Sequence, residues 1–262
     1  MLTLLFTEII SRPVFNMLII FLAIFGGNLG IAIVLVTIIV RLLMIKQTSA
    51  SNDMQKGMWD LQPKLQELQV KYKDDPKKLS AETMKLFKTH GAWPLKGCLM
   101  MLIQIPVFIG LYYVIRHISA GTIPDGRLYS FFNGIGGQFL DSKNIHTNFL
   151  GIDLLGTKNI VLTILAAVFT FLQMKLTMLA KPATPTIPGA KAPDMGKMMG
   201  FMNIFMVFMI GSVVYSMQSG IGLYIVVTTL FSVVQYSIQY KALLKVKFNE
   251  WRTKGQNVVI EK

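Results

Sequence analysis

The chain is poor in charge, poorer still in acid, and nearly without cysteine. Charged residues make up 15% of its 262 positions against 53% hydrophobic, and Asp plus Glu number 13 where Lys plus Arg number 26. A soluble domain carries about 25% charged residues. With a mean hydropathy of +0.53, the shortage excludes an ordinary soluble fold. Cys98 stands alone, which rules out an intramolecular disulfide, and no Cys/His cluster has metal-site spacing. His90, His117 and His146 lie in unrelated segments, and there is neither a nucleophile–base set nor a P-loop. The chain therefore reads as a non-enzyme with no cofactor and no metal. Its start, "MLTLLFTEIISRP", has no basic n-region, no small-residue cleavage site and no Arg/Ser-rich presequence character. A bacterial plasma membrane is the expected location.

What is present is apolar length. A membrane helix needs about 20 apolar residues, and five stretches come near it: 28–48, 95–116, 157–178, 198–217 and 221–241. Only "QSG" separates the last two, as in a tight hairpin. The earlier run "PVFNMLIIFLAIF" (13–25) is too short to span and suits an interfacial amphipathic helix within 1–27. The expected fold is an all-α membrane protein with a five-helix transmembrane core. Lys and Arg orient it: segments 46–96, 175–197 and the tail from 241 carry twenty, and the opposite side carries five (Arg12, Arg116, Arg127, Lys143, Lys158). The positive-inside tendency places the N-terminus outside and the basic tail, 242–262, in the cytoplasm. Residues 117–156 form an external loop, and the Pro/Ala-rich stretch within 179–197 is a cytoplasmic linker.

The segment 49–94 is expected to be an antiparallel helical hairpin in the cytosol. Met54, Met58, Leu61, Leu65, Leu68 and Tyr72 recur at helical spacing, with Pro63 expected to kink that helix. Asp75 caps and Pro76 opens the second helix, along which Leu79, Thr83, Leu86 and His90 recur before Gly91 ends it. A solvated helical loop is the plainer alternative. Such a stripe asks for either the opposing helix or a partner.

One charge stands out. Arg41 sits in "VLVTIIVRLLMIKQT", where an arginine at a bilayer centre costs about 2.5–3.5 kcal/mol on insertion scales. It shares a helix face with Gly30, Val34, Thr37, Met44, Ile45 and Thr48. None of the five spans contains Asp or Glu, so any intramembrane partner is neutral. Gln104, Thr170, Gln173 and a stripe of Tyr224, Thr228, Ser232 and Gln235 could supply it. Two readings remain open: Arg41 snorkels to the cytosolic surface about 6–7.5 Å away, or it lines a hydrated cavity open to the cytosol. For the Tyr224 stripe, ordinary interhelical hydrogen bonding is the alternative. A buried cation there would attract a negative group arriving from the cytosol, so a polypeptide could pause half way into lipid.

Several blocks in order resemble the YidC/Oxa/Alb family of membrane protein insertases. "GNLGIAIVLVTIIVRLLMIKQT" resembles the first core span with its groove arginine, here Arg41. The run from "MQKGMWDLQPKLQELQ" through "IQIPVFIGLYYVIR" resembles the hairpin and second span. "FLGIDLLG", "FLQMKLT" and "GLYIVVTTLFSVVQYSIQ" resemble later segments. Ile225 departs from the tryptophan often found after that tyrosine, and a short form without the large external domain of some members is expected. The resemblance implies a hydrophilic groove, open to cytosol and lipid, through which nascent membrane proteins are inserted without nucleotide hydrolysis. The groove residues it implies are Arg41, Thr37, Gln104, Gln173, Tyr224, Thr228 and Gln235. Implied partners are nascent membrane proteins, the ribosome (through basic tail and hairpin), the Sec translocon and the bilayer, with no specific nucleic-acid site. A small transporter or channel using the same cavity, or a scaffold acting through the hairpin, are the competing functions; the chain lacks the paired half-helices and coupling carboxylate of many transporters.

Overall fold

The computed structural model describes residues 8, 12–89, 94–121, 128–132, 134, 137–179, 195–241 and 244–245. The expected linker (181–193), Gly91, His90 and nearly all of the basic tail lie outside them, as do the side chains of Met54, Met58 and Cys98. Nine α-helices are described: α1 (Arg12–Ile24), α2 (Leu29–Leu43), α3 (Ile45–Asp60), α4 (Gln62–Lys71), α5 (Pro76–Thr89), α6 (Pro94–Ser119), α7 (Ile160–Leu179), α8 (Met195–Ser216) and α9 (Ser219–Gln239). Two short strands, β1 (Asn148–Phe149) and β2 (Ile152–Asp153), pair antiparallel in the segment before α7. Among the described residues, α7 and α9 contain stretches long and apolar enough to cross a membrane. Shorter apolar helical stretches run over 12–24, 29–43, 107–119 and 200–216.

α9 is the hub, packed against α2, α6, α7 and α8. Every residue from Ser219 to Val226 is buried, which small residues at the contacts permit: a Cβ on Gly220 would press on Ile115, and one on Gly222 on Val214. The "QSG" turn between α8 and α9 is tied to the segment ahead of α7. Ser219 N–H donates to Gly156 O (2.7 Å), Gly220 N–H to Leu154 O (2.7 Å) and Lys158 N–H to Tyr215 O (3.0 Å). This is the loop end of the bundle; α4 and α5 lie toward the other, hairpin end.

α1 lies across the loop end. Asn16 Oδ1 accepts from Tyr129 N–H (2.8 Å) near its start, and Gly27 O, just past its end, accepts from His146 N–H (2.8 Å). Both ends therefore meet the one segment that joins α6 to α7. Phe15, Leu18, Ile19 and Leu22 are fully buried beneath it, against α2 and α6. Asn28 caps α2 by accepting from Ile31 N–H (3.0 Å). The β1–β2 turn lays Phe149 on Gly30 so closely that any side chain there would overlap the ring.

Two boundaries differ from the sequence reading. The first span, expected over 28–48, ends as α2 at Leu43, and Met44 (φ −90°, ψ 0°) marks a break before α3. The break is mild, since Thr48 N–H still donates to Met44 O (2.9 Å). The expected single helix kinked at Pro63 is instead two, α3 and α4, parted at Leu61. Pro63 lacks an N–H and its ring crowds the preceding turn, so it is accommodated in the first turn of α4. α4 and α5 then pack antiparallel around the 72–75 turn, where Asp75 Oδ1 accepts from Lys78 N–H (3.1 Å).

Candidate functional site

Arg41 occupies the last turn of α2, at the hairpin end, and is half-buried. Helical Cα–Cβ bonds tilt toward the N-terminus, which in α2 is the loop end. The side chain therefore starts along the axis toward the loop end. The phenol groups of Tyr224 and Tyr236, both on α9, lie within electrostatic reach of the guanidinium. Among the described residues no carboxylate pairs with it; the ion pairs there are Arg12–Glu8 and Lys78–Asp75, at opposite ends of the molecule.

α9 supplies most of the polar wall. Tyr224, Thr228 and Ser232 are buried and Gln235 is half-buried, following one another at spacings of four, four and three. Ser232 Oγ donates to Thr228 O (3.0 Å), so it is satisfied within the helix. Gln235 Nε2 is buried without a hydrogen-bond partner, and so is Thr170 Oγ1 on α7, while the Thr228 hydroxyl is in side-chain hydrogen-bonding reach of the Tyr224 phenol one turn before it. An unsatisfied buried polar group costs about 1–3 kcal/mol. Two of them on two mutually packed helices ask for water or a polar guest. Tyr224 meets Phe108 of α6 at a centroid distance of 6.3 Å, which closes the apolar side of the wall.

The remaining expected residues are disposed differently. Thr37 is buried, but its hydroxyl donates to Ile33 O (2.6 Å), so its proton is spent within α2. Gly30, on the same face, is covered by Phe149. Gln173 is half-buried on α7. Gln104 lies in α6, but its side chain is outside the described residues. Ile225 is buried in α9, and its carbonyl accepts the Thr229 hydroxyl (2.9 Å). Sequence reasoning passed over Tyr236, which continues the series 224, 228, 232 by one more step of four; following the period one turn further would have found it. The assembled groups can hold an anion by charge-assisted hydrogen bonds. They offer no nucleophile–base pair, and among the described residues no cluster of His, Cys, Asp or Glu could hold a metal.

Comparison with known proteins identifies the family. The family described as "60Kd inner membrane protein" matches residues 20–246. The chain is 34% identical over 228 residues to "Membrane protein insertase YidC" of Oceanobacillus iheyensis, covering 86% of this chain and 79% of that one. It is 35% identical over 220 residues to "Membrane protein insertase MisCA" of Bacillus subtilis, covering 80% and 69%. A similar likeness, 33% over 230 residues, holds to "Membrane protein insertase YidC" of Prosthecochloris aestuarii, of whose length this chain spans 35%.

Proposed function

The chain belongs to the 60Kd inner membrane protein family, and from that premise we propose that it is a non-enzymatic insertase that moves nascent membrane proteins from the cytosol into the bilayer. α2, α6, α7, α8 and α9 are the five spans of this reading, with α1 in the outer interface and the α4–α5 hairpin in the cytosol. The electrostatic reach of Arg41 to Tyr224 and Tyr236, on the helix whose polar stripe includes the unpartnered Gln235 amide nitrogen, is the observation that carries it. A dry helix bundle has no use for such a set. A groove that receives polar chain does: the guanidinium and the open hydroxyl and amide positions replace part of the water that a client's polar flank gives up.

Nothing in this mechanism consumes nucleotide. The polar flank rests in the groove while the client's apolar segment partitions sideways into lipid, and release follows from that partition. The positive charge favours acidic flanks by Coulomb attraction, strengthened where water is scarce. The ribosome, through the basic tail and hairpin, and the Sec translocon are the expected upstream partners.

Site-specific photo-crosslinking tests the reading. Probes placed at Thr228 and Gln235 should capture a stalled membrane-protein nascent chain, and probes at the lipid-exposed Val234 and Ile238 should capture its polar flank far less. Equal capture of that flank at all four positions would remove the groove from the function.

A further inference from the structure

A crevice lined by exposed apolar residues lies on a flank of the molecule, and Arg41 is not among its lining residues. α7 and α8 part to leave a crevice of about 620 Å³, lined by Thr163, Phe171, Ile204, Phe208, Ser212 and Tyr215, with Gly211 at its floor. The walls are apolar even where hydroxyls occur. Thr163 Oγ1 donates to Asn159 O (2.8 Å) and Ser212 Oγ to Phe208 O (2.9 Å), so neither seeks a polar ligand. From Ile204 to Tyr215 the crevice runs about 16 Å at 1.5 Å per residue, roughly one leaflet of a ~30 Å hydrocarbon core. Toward the hairpin end, Asn203 Nδ2 reaches Met178 Sδ (3.2 Å) and ties the two helices together. A docked transmembrane helix would need the whole length; this slot accepts half of it.

The loop end of the slot carries a cation. Lys158 N–H donates to the carbonyl of Tyr215, a crevice residue, and Lys158 is exposed. Its backbone has φ 63°, a conformation that costs a non-glycine residue energy and that concentrates at functional positions. We infer that the crevice seats one acyl chain of an outer-leaflet phospholipid, with its phosphate at the Lys158 ammonium and its glycerol level with Tyr215. An apolar slot of one leaflet's depth beneath a lysine is complementary to one such lipid and to little else. The inference goes beyond the insertase reading and borrows from it only the name of the leaflet.

Native mass spectrometry of the purified full chain, titrated with phosphatidylglycerol, tests the site. The unaltered protein should retain one lipid more tightly than the rest. Gly211→Leu, whose added side chain enters the slot past Thr163 (3.8 Å from a Cβ at that position), should lose that lipid. Thr163→Phe should do the same from the opposite wall, so misfolding of one variant does not decide the matter. Lys158→Gln should weaken retention about two- to fivefold, the reach of one exposed ion pair. Val234→Leu on the exposed face of α9 should change nothing. Unaltered retention in both slot-filling variants overturns the inference. So does a photoprobe at Phe208 that captures protein and no lipid in native membranes.

Discussion

Replacing Arg41 with leucine should raise the stability of this protein while lowering its activity, and the opposite signs make the experiment decisive. Arginine at a span's centre costs about 2.5–3.5 kcal/mol on insertion scales. Arg41 sits in the last turn of α2, half-buried, with two phenols near it, so the recoverable part is smaller, about 1–2 kcal/mol by that scale. For a chain of this size that corresponds to about 2–8 °C in apparent melting temperature. Client binding moves the other way. A carboxylate about 4 Å from the guanidinium gains about 4 kcal/mol at an effective dielectric of 20. Partial exposure reduces that to about 1–2 kcal/mol, or roughly a 5- to 30-fold loss at 1.4 kcal/mol per decade. Thermal aggregation in detergent reads the first quantity. Insertion of a reporter with an acidic translocated segment, against one with a neutral segment, reads the second. Arg41→Lys should recover most of the acidic-client activity. A leucine variant that melts lower and inserts both reporters equally poorly would make Arg41 a structural residue and refute the reasoning.

Other consequences follow from particular contacts. Gln235→Leu and Thr170→Val remove buried polar atoms that lack partners; together they should raise the melting temperature, because neither breaks a native hydrogen bond of those atoms, and should lower nascent-chain crosslinking at Arg41-adjacent probes. Gly30→Ala sets a Cβ inside the Phe149 ring and should cost about 1–3 kcal/mol by overpacking; adding Phe149→Ala should recover part of that loss in the same melting assay, and no recovery would mean the contact is not the cause. Asn16→Leu strands the half-buried Tyr129 N–H and should cost about 1 kcal/mol, read as faster proteolysis within the 120–146 segment with the α4–α5 hairpin unaffected. Gly27→Ala forces φ +81° on alanine and drives its Cβ into the Asn144 carbonyl, and should reduce folded yield more than Gly26→Ala, which meets nothing.

Much of this molecule was determined along the chain itself. Apolar length and 3.6-residue periodicity set where helices form, because an amide in lipid must bond within its own segment. Asp75 and Pro76 opened α5, and the i, i+4 recurrence of Tyr224, Thr228 and Ser232 put a polar stripe on one face of α9. The isolation of Arg41 among aliphatic residues marked it as costly and therefore in need of a reason. Distances between helices carry no such local signal. Only packing decided that Gly30 belongs to Phe149 rather than to the groove, and that Tyr236 joins Tyr224 near the guanidinium. Those outcomes depend on which residues 100 or more positions apart come within a few ångströms, and close packing of complete side chains settles that. The parallel run of α2 and α9 gave Arg41 its neighbours; no stretch of sequence contains both.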